Sequence, residues 1–575
     1  MLNKMTYSLP PELSEAFAVQ LAAWQENGYV SKIWNKEADL WTDDDESKWL
    51  GWLDVAERES RDLDKYRELR RDIADAGFAD VLLMGMGGSS LCPEVLAITF
   101  GVENFHVLDS TVPAQVKAVE DAVDLEKTLF IVASKSGSTL EPNCFKQYFF
   151  ERVAERVGRE NAGRQFVAIT DPGSKMEEVA RADGFRHIFY GDPEIGGRFS
   201  ALSVFGMAAA AAMGLDVGDL LARSIEMVDA CRTTDAAQNP GAMLGLILGV
   251  AHSHGRDKLT IFTSPEIYDL GAWLEQLIAE STGKRGTAII PVDREPVFPA
   301  ETYGGDRLFV YLRTSRPGLA TLAGEDEKAQ IQMLDAIRDA GHPFVLIELD
   351  DVEDLGQEFF RWEFATAVAG SIMGINPFNQ PDVEAAKIEA RKLTAEYEAT
   401  GALPAEVPFF EADGIRLFTS EEYAAELSAA VDEPSLASLI EAHLLNIQEH
   451  DYFALLAYVE MNRDNDRLLQ SIREAVLESH GVATCLGFGP RFLHSTGQAY
   501  KGGGNNGVFL QVTSDDAFDI PVPGQQFTFG VVKAAQARGD FQVLLDRGRR
   551  ALRVHLGKDV AGGLEKLNDL VGDHS

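Results

Sequence analysis

Two rhythms of hydrophobic positions alternate along this chain. From about residue 78, short apolar runs rich in β-formers end in Gly, Ser or Asp: ADVLLMG, FHVLDS, TLFIVASKSGS, QFVAITDPGS and HIFYG. These read as strands. Between them, PEVLAITF, LEPNCFKQYFFERVAERV and KMEEVARADG carry helical spacing. Strands alternating with helices predict right-handed βαβ units and a parallel sheet covered on both faces. The segment 200–213 is Ala-rich and apolar all round, which predicts a buried helix. A second round begins near residue 240. It has helices over 241–252, 270–280 and 359–373, and strands at KLTIFTS, GTAIIPV, DRLFVYLR and HPFVLIEL.

The flanks differ. Residues 1–75 read as helical and polar, with apolar positions at helical spacing over 13–24 and dense charge over 54–74. A helical cap packed on the surface is expected there. Beyond residue 400, three helical stretches (420–431, 435–460 and 466–480) precede the strands ATCLGF and GVFLQVT, which flank a Gly-rich loop. The expected fold class is therefore α/β: an N-terminal helical segment (1–75), two doubly wound parallel-sheet domains (76–230 and 231–400) and a C-terminal α/β extension (401–575).

Charge narrows the function. The chain has 575 residues, 52 basic and 91 acidic, for a net charge of −39. Such a field repels phosphate backbones and acidic bilayers, so no nucleic-acid or membrane partner is expected. A small anionic substrate requires a local site that overrides this field. With 45% hydrophobic residues the chain has ample material for large cores. Cys92, Cys144, Cys231 and Cys485 lie far apart with no CxxC pair, as expected of buried thiols in a reducing compartment. The opening MLNKMTYSLPPELSEAF has no apolar run of the signal-peptide kind. The longest near-apolar stretch, 201–215, falls short of the roughly 20 residues a spanning helix needs. A cytoplasmic protein is expected.

Candidate chemistry sits where strands turn into helices, since ligands of doubly wound sheets bind at the carboxyl ends of the strands. Gly85-Met86-Gly87-Gly88-Ser89-Ser90 and Ser134-Lys135-Ser136-Gly137-Ser138-Thr139 both follow a strand and open a helix. Exposed N–H groups at a helix start attract an anion, hydroxyls add donors, and Lys135 adds a charge. Neither turn is a dinucleotide fingerprint or a P-loop. Gly196-Gly197-Arg198-Phe199-Ser200 places an arginine at the mouth of the buried helix. An arginine there is costly unless it pairs with an anion. Glu280, in Gln276-Leu277-Ile278-Ala279-Glu280-Ser281-Thr282-Gly283-Lys284, falls at a helix end beside apolar neighbours, a setting that suits a general base. In Asn376-Pro377-Phe378-Asn379-Gln380-Pro381-Asp382, a helix starting after Pro381 would put Gln380 and Lys387 on one face. His252 and His254 are two apart on a helix and no third ligand is near, so no metal is expected.

Taken together, these five elements resemble the phosphoglucose (glucose-6-phosphate) isomerase family over residues 80–390. The match covers its phosphate loop at 134–139, its GGRFS motif, and its QxxxES-GK segment at Gln276, Glu280, Ser281, Gly283 and Lys284. Its NxFDQxGVExxK signature also matches, except for Asn379 and Asp382. The run Gly489-Pro490-Arg491-Phe492-Leu493-His494-Ser495-Thr496-Gly497-Gln498 looks like the isomerase half of transaldolase–phosphoglucose isomerase fusions. A transaldolase barrel would not fit in the chain, so that activity is not expected. The resemblance implies two sugar-isomerase domains, a sugar-phosphate substrate, a homodimer, no cofactor, and a place in glycolysis and gluconeogenesis. It implies Glu280 as base, Arg198 as enediolate stabiliser, and Gln276 and Gln380 as sugar-positioning groups. Lys387 would assist at the ring or C1–C2 oxygens. Gly88, Ser89, Ser134, Lys135, Ser136, Thr139 and Gly197 would hold the substrate and its phosphate. An isomerase of another C6-anionic aldose, or a non-catalytic sugar-phosphate-binding regulator, are the competing readings.

One family feature is absent. The histidine usually found between the glutamate motif and the NxFDQ motif has no counterpart, and His342, in a turn before a strand, is expected to be structural. His494 is the candidate replacement for ring opening, with Lys387 as its competitor. Lys501, in the same Gly-rich loop, is an alternative contact for the substrate anion.

Overall fold

The first strand of the chain was not legible in its hydrophobic pattern. β1 (Lys4–Ser8) opens the chain; then come the helices Pro11–Glu26 and Tyr29–Trp34. The computed structural model describes residues 2–315 and 325–572. The N-terminal segment is not a surface cap. Trp24 and Trp52 are buried, Trp34 Nε1 donates to Cys231 O at 2.9 Å, and Trp41 Nε1 donates to Ala367 O at 2.8 Å.

The next five strands form the first sheet: β2 (Asp80–Met84), β3 (Phe105–Leu108), β4 (Thr128–Ala133), β5 (Phe166–Thr170) and β6 (His187–Tyr190). All neighbours are parallel, in the order β3-β2-β4-β5-β6. Because β2 has β3 on one side and β4 on the other, the connections leave in opposite directions. A crevice therefore opens at the carboxyl ends of β2 and β4.

The second sheet holds β7 (Lys258–Thr263), β8 (Ile290–Asp293), β9 (Arg307–Thr314) and β10 (Phe344–Leu349). Its order is β1-β10-β9-β7-β8, parallel except for β1, which runs antiparallel along β10 with Lys4 opposite Glu348. The apolar helices Val204–Ala212, Pro240–Ser253 and Leu355–Met373 lie in one continuous core with the first two sheets.

The third sheet corrects the expectation of a long helix over 435–460. That helix spans only Leu436–Leu444, and the following apolar run, Tyr452–Tyr458, is a strand. The strands here are β11 (Phe410–Ala412), β12 (Ile415–Phe418), β13 (Tyr452–Tyr458), β14 (Ala483–Phe488), β15 (Gly507–Ser514) and β16 (Arg550–Leu556). Their order is β11-β12-β16-β15-β13-β14, with the last four parallel. YFALLAY is buried at all seven positions because both faces of the sheet are covered, so no alternation betrays it. The residues of β13 on one face join a core with the helices Arg463–His480 and Val560–Gly572. Those on the other pack with Phe541, Tyr500 and, from the second sheet, Ile290 and Val292.

Candidate active site

Two close backbone approaches bring the motifs together. The turn after β2 meets the turn before the Val204–Ala212 helix so tightly that a Cβ on Gly88 would lie 1.9 Å from Gly197 O. Next to it, Gly87 has φ +54°, and a Cβ there would fall 2.6 Å from Gln276 Nε2 and 2.7 Å from His494 O. Only glycine satisfies both the left-handed backbone and the missing volume. Gly87 and Gly88 thus act through their lack of side chains, whereas a Cβ on Gly197 would meet nothing within 4 Å. Ser89 is half-buried in the same turn and does not reach the cavity described below.

Behind these turns lies a closed ionic cluster. The GGRF turn points the Arg198 side chain inward, at 1% exposure. Its Nε donates to Ser281 Oγ at 2.7 Å and its Nη1 to Gln380 Oε1 at 2.9 Å. Its Nη2 donates to Pro377 O at 2.6 Å and Asn379 O at 3.0 Å. Glu280, in the last turn of the Leu270–Thr282 helix, is 4% exposed, and its Oε2 stands 3.7 Å from Arg198 Nη1. One turn back, Gln276 Nε2 donates to that same carboxylate oxygen at 3.2 Å and to His494 O at 2.9 Å. Lys284 reaches Asn376 O at 2.7 Å, Asn379 O at 2.6 Å and Asn379 Oδ1 at 3.1 Å. Burial, and after it the Arg198 charge, pull the Lys284 ammonium well below its usual range. Asn379 thus serves here as an acceptor for lysine.

Gln276 joins this cluster to a small cavity of about 120 Å³. Ser136, Ser138, Thr139, Glu141, Lys387, His494 and Gln536 line it. The Pro381–Thr400 helix begins where the sequence places it, with Gln380 as its N-cap, and carries Lys387 one and a half turns in. Ser136 and Ser138 share a hydrogen bond of 2.9 Å. His494 Nε2 lies 2.9 Å from Glu141 Oε1, and Gln536 Nε2 donates to the same oxygen at 2.6 Å. Burial would push the Glu141 carboxyl up, but the charge and hydrogen bond of His494, with a contribution from Lys387, hold it below the ordinary value.

Not every candidate converges. The Lys135 ammonium turns away to Asp171 Oδ2 at 2.5 Å and Asp192 O at 2.8 Å and does not line the cavity. Ser134 Oγ is buried at the end of β4 without a partner among the described residues, also outside the lining. Lys501 is sealed in an ion pair of 2.5 Å with Asp540, which removes it as a contact for the substrate. His342 packs edge-on against Phe309 in the second sheet. Glu141 and Gln536 were missed. A Glu in the first turn of a helix reads as a favourable dipole partner, and its histidine lies 353 residues further on. The Asp382 departure has a visible use. Gln498 Oε1 accepts from the Asp382 and Val383 N–H groups, and Arg547 pairs with Asp382 at 2.5 Å, locking the third sheet's loop onto the motif.

A likeness in fold extends beyond this geometry. A solved structure of a hypothetical protein from Thermus thermophilus superposes with TM-score 0.57 at 24% identity, over 67% of this chain and 99% of that one. The helix-covered, mainly parallel sheets make the chain a mixed α/β protein of the doubly wound kind. The family model described as phosphoglucose isomerase matches residues 71–292. A glucose-6-phosphate isomerase of Methanocaldococcus jannaschii is 27% identical over 367 residues, which is 59% of this chain and 88% of that protein. One of Synechococcus sp. (strain CC9605) is 27% identical over 463 residues, covering 71% of this chain and 84% of that protein. Residues 71–292 thus match the phosphoglucose isomerase family, and these relatives support reading the chain as an aldose–ketose isomerase. Among the described residues no helix is long and apolar enough to cross a membrane.

Proposed function

We propose that this chain interconverts glucose 6-phosphate and fructose 6-phosphate through a cis-enediol(ate), with Glu280 as the base. The observation that carries this reading is the buried Arg198–Glu280 pair, 3.7 Å apart and hydrogen-bonded to Gln276 and Gln380. A carboxylate so placed takes the C2 proton and returns it at C1, while the guanidinium meets the negative charge that develops on the enediolate oxygens. Fixed donors in a water-poor site stabilise such charge without reorganising.

The cavity supplies the rest. Ser136, Ser138 and Thr139 donate to the phosphate, and Lys387 adds an ammonium to the lining. His494 opens the ring. With its Nε2 proton directed at Glu141, its Nδ1 is left as the proton acceptor, and Glu141 stabilises the imidazolium that forms. His494 lies outside the family match at 71–292. On this reading the third sheet contributes the ring-opening group from the same chain.

The test is turnover of fructose 6-phosphate by the purified chain in deuterated water. Proton transfer through a carboxylate exposed to exchange places deuterium at C2 of the glucose 6-phosphate formed. Product without label, formed equally well by Glu280→Gln, would mean that hydrogen moves directly between carbons, and the Glu280 scheme would fall. Absence of product would remove the substrate assignment.

A further inference from the structure

A second cavity, of about 340 Å³, lies in the third sheet and belongs to no step described so far. It opens where β13 and β15 end, the side on which parallel sheets bind ligands. Arg416, Lys533, Arg538 and Arg553 line it, against three carboxylates, Glu406, Asp515 and Asp516. Glu406 is shared between Arg553 and Arg538, each at 2.7 Å; Lys533 holds Asp516 at 2.6 Å, and Arg416 holds Asp515 at 3.3 Å. A local excess of positive charge in a chain of net charge −39 is the kind of override that an anionic ligand needs.

Two buried side chains of the lining are short of partners among the described residues. Tyr458 is 0% exposed and its hydroxyl has no hydrogen-bond partner; Arg553 is 3% exposed and its Nε has none. Arginine Nε can only donate and a phenol can donate, so an acceptor bound in the cavity would complete both atoms. Buried donors are rarely left unsatisfied in a native protein unless something absent completes them.

We propose that this cavity is a binding site for a small oxyanion, the phosphate or carboxylate group of a metabolite, distinct from the catalytic cavity. The Phe529–Asp546 helix carries residues of both sites: Lys533 and Arg538 line this one, while Gln536 holds Glu141 in the other.

Calorimetric titration of the full chain with inorganic phosphate, and separately with citrate, tests the proposal. Phosphate should bind at two sites per chain, one weakened by Ser136→Ala with Thr139→Ala. The other should be abolished by Arg538→Glu and weakened about tenfold by Tyr458→Phe, the loss of one hydrogen bond to a charged group. Tyr458→Phe removes a hydroxyl that bonds to nothing among the described residues, so the melting temperature and the KM for fructose 6-phosphate should stay unchanged. Citrate binding sensitive to the same two variants, without the second phosphate site, would identify a carboxylate as the ligand group and still support the site. Three results would overturn it: a single phosphate site with no Tyr458-sensitive citrate binding, binding unaffected by both variants, or no saturable binding of either anion up to about 10 mM, a strength typical of weak small-ion contacts.

Discussion

Around Arg198 the protein has already made the hydrogen bonds: each guanidinium nitrogen donates within the chain, to Ser281, Gln380, Pro377 or Asn379. Around Thr139 it has made few. Ser136 and Ser138 bond to each other, and Lys387 stands 4.0 Å from Glu384 on a half-exposed helix face. One region is closed by its own hydrogen bonds and the other is not. On the proposed function the contrast follows from what each must do. Charge that develops for an instant in a reaction is stabilised only by dipoles already in place. A phosphate arrives fully charged and can displace weak internal hydrogen bonds as it binds. Gln276, which touches Glu280 on one side and His494 on the other, is the hinge between the two regimes.

If this contrast holds, damage to the closed region falls on kcat and damage to the other on KM. The largest effect is expected for Glu280→Gln. Steady-state assays should show kcat lower by about 10²–10⁴-fold, the usual worth of a general base, with KM nearly constant. Retention of more than a tenth of wild-type kcat would remove Glu280 as the base. His494→Ala should slow turnover of the cyclic substrate by about 10²-fold while affecting C2-proton exchange on an open-chain analogue less. Equal losses in both assays would reassign His494 to binding and ring opening to Lys387. Ser136→Ala with Thr139→Ala should raise KM for fructose 6-phosphate at least about tenfold, since hydrogen bonds to charged groups are worth about 1.5–3 kcal/mol each. A loss confined to kcat would collapse the distinction between the regions.

The smallest effect sharpens the comparison from outside both regions. Glu363, in the Leu355–Met373 helix, is fully buried, and among the described residues neither of its carboxylate oxygens has a hydrogen-bonding side chain or a cation. Burial raises its carboxyl well above the usual value, only partly opposed by the backbone at Ala201. The unfolded chain loses this proton near the ordinary glutamate pKa while the folded chain keeps it, so stability falls as pH rises from there towards the folded value. Glu363→Gln removes that slope, at most about 1.4 kcal/mol per pH unit. Its melting temperature should exceed wild type by more at pH 8 than at pH 5, with kcat unchanged; equal shifts at both pH values would show that Glu363 is ionised in the fold.

How much of this was legible in the residues depended on range. The strands of the first two sheets announced themselves because parallel strands buried on both faces are short, uniformly apolar runs between turn residues. β1 did not, since KMTYS is mostly exposed along an edge and carries no apolar run. β16 did not either: RALRVHL hides two arginines and a histidine, and Arg553 is buried only because Glu406 comes to meet it. In the site, the Gly, Ser and Glu motifs were readable because each is a local answer to a local need. Lys135 was misjudged because Asp171, its partner, lies on a different strand connection. Glu141 was invisible for the same reason at longer range.

The antiparallel pairing of β1 with β10 has a consequence for how the chain comes off the ribosome. Residues 4–8 are made well before the strand they join: with Ser8 opposite Phe344, that strand is about 340 residues away and, at roughly 5–20 residues per second, emerges tens of seconds later. Meanwhile the first sheet, contained in residues 80–190, has all its strands in hand. β1 is thus a held thread, which can enter its sheet only once β10 offers it an edge.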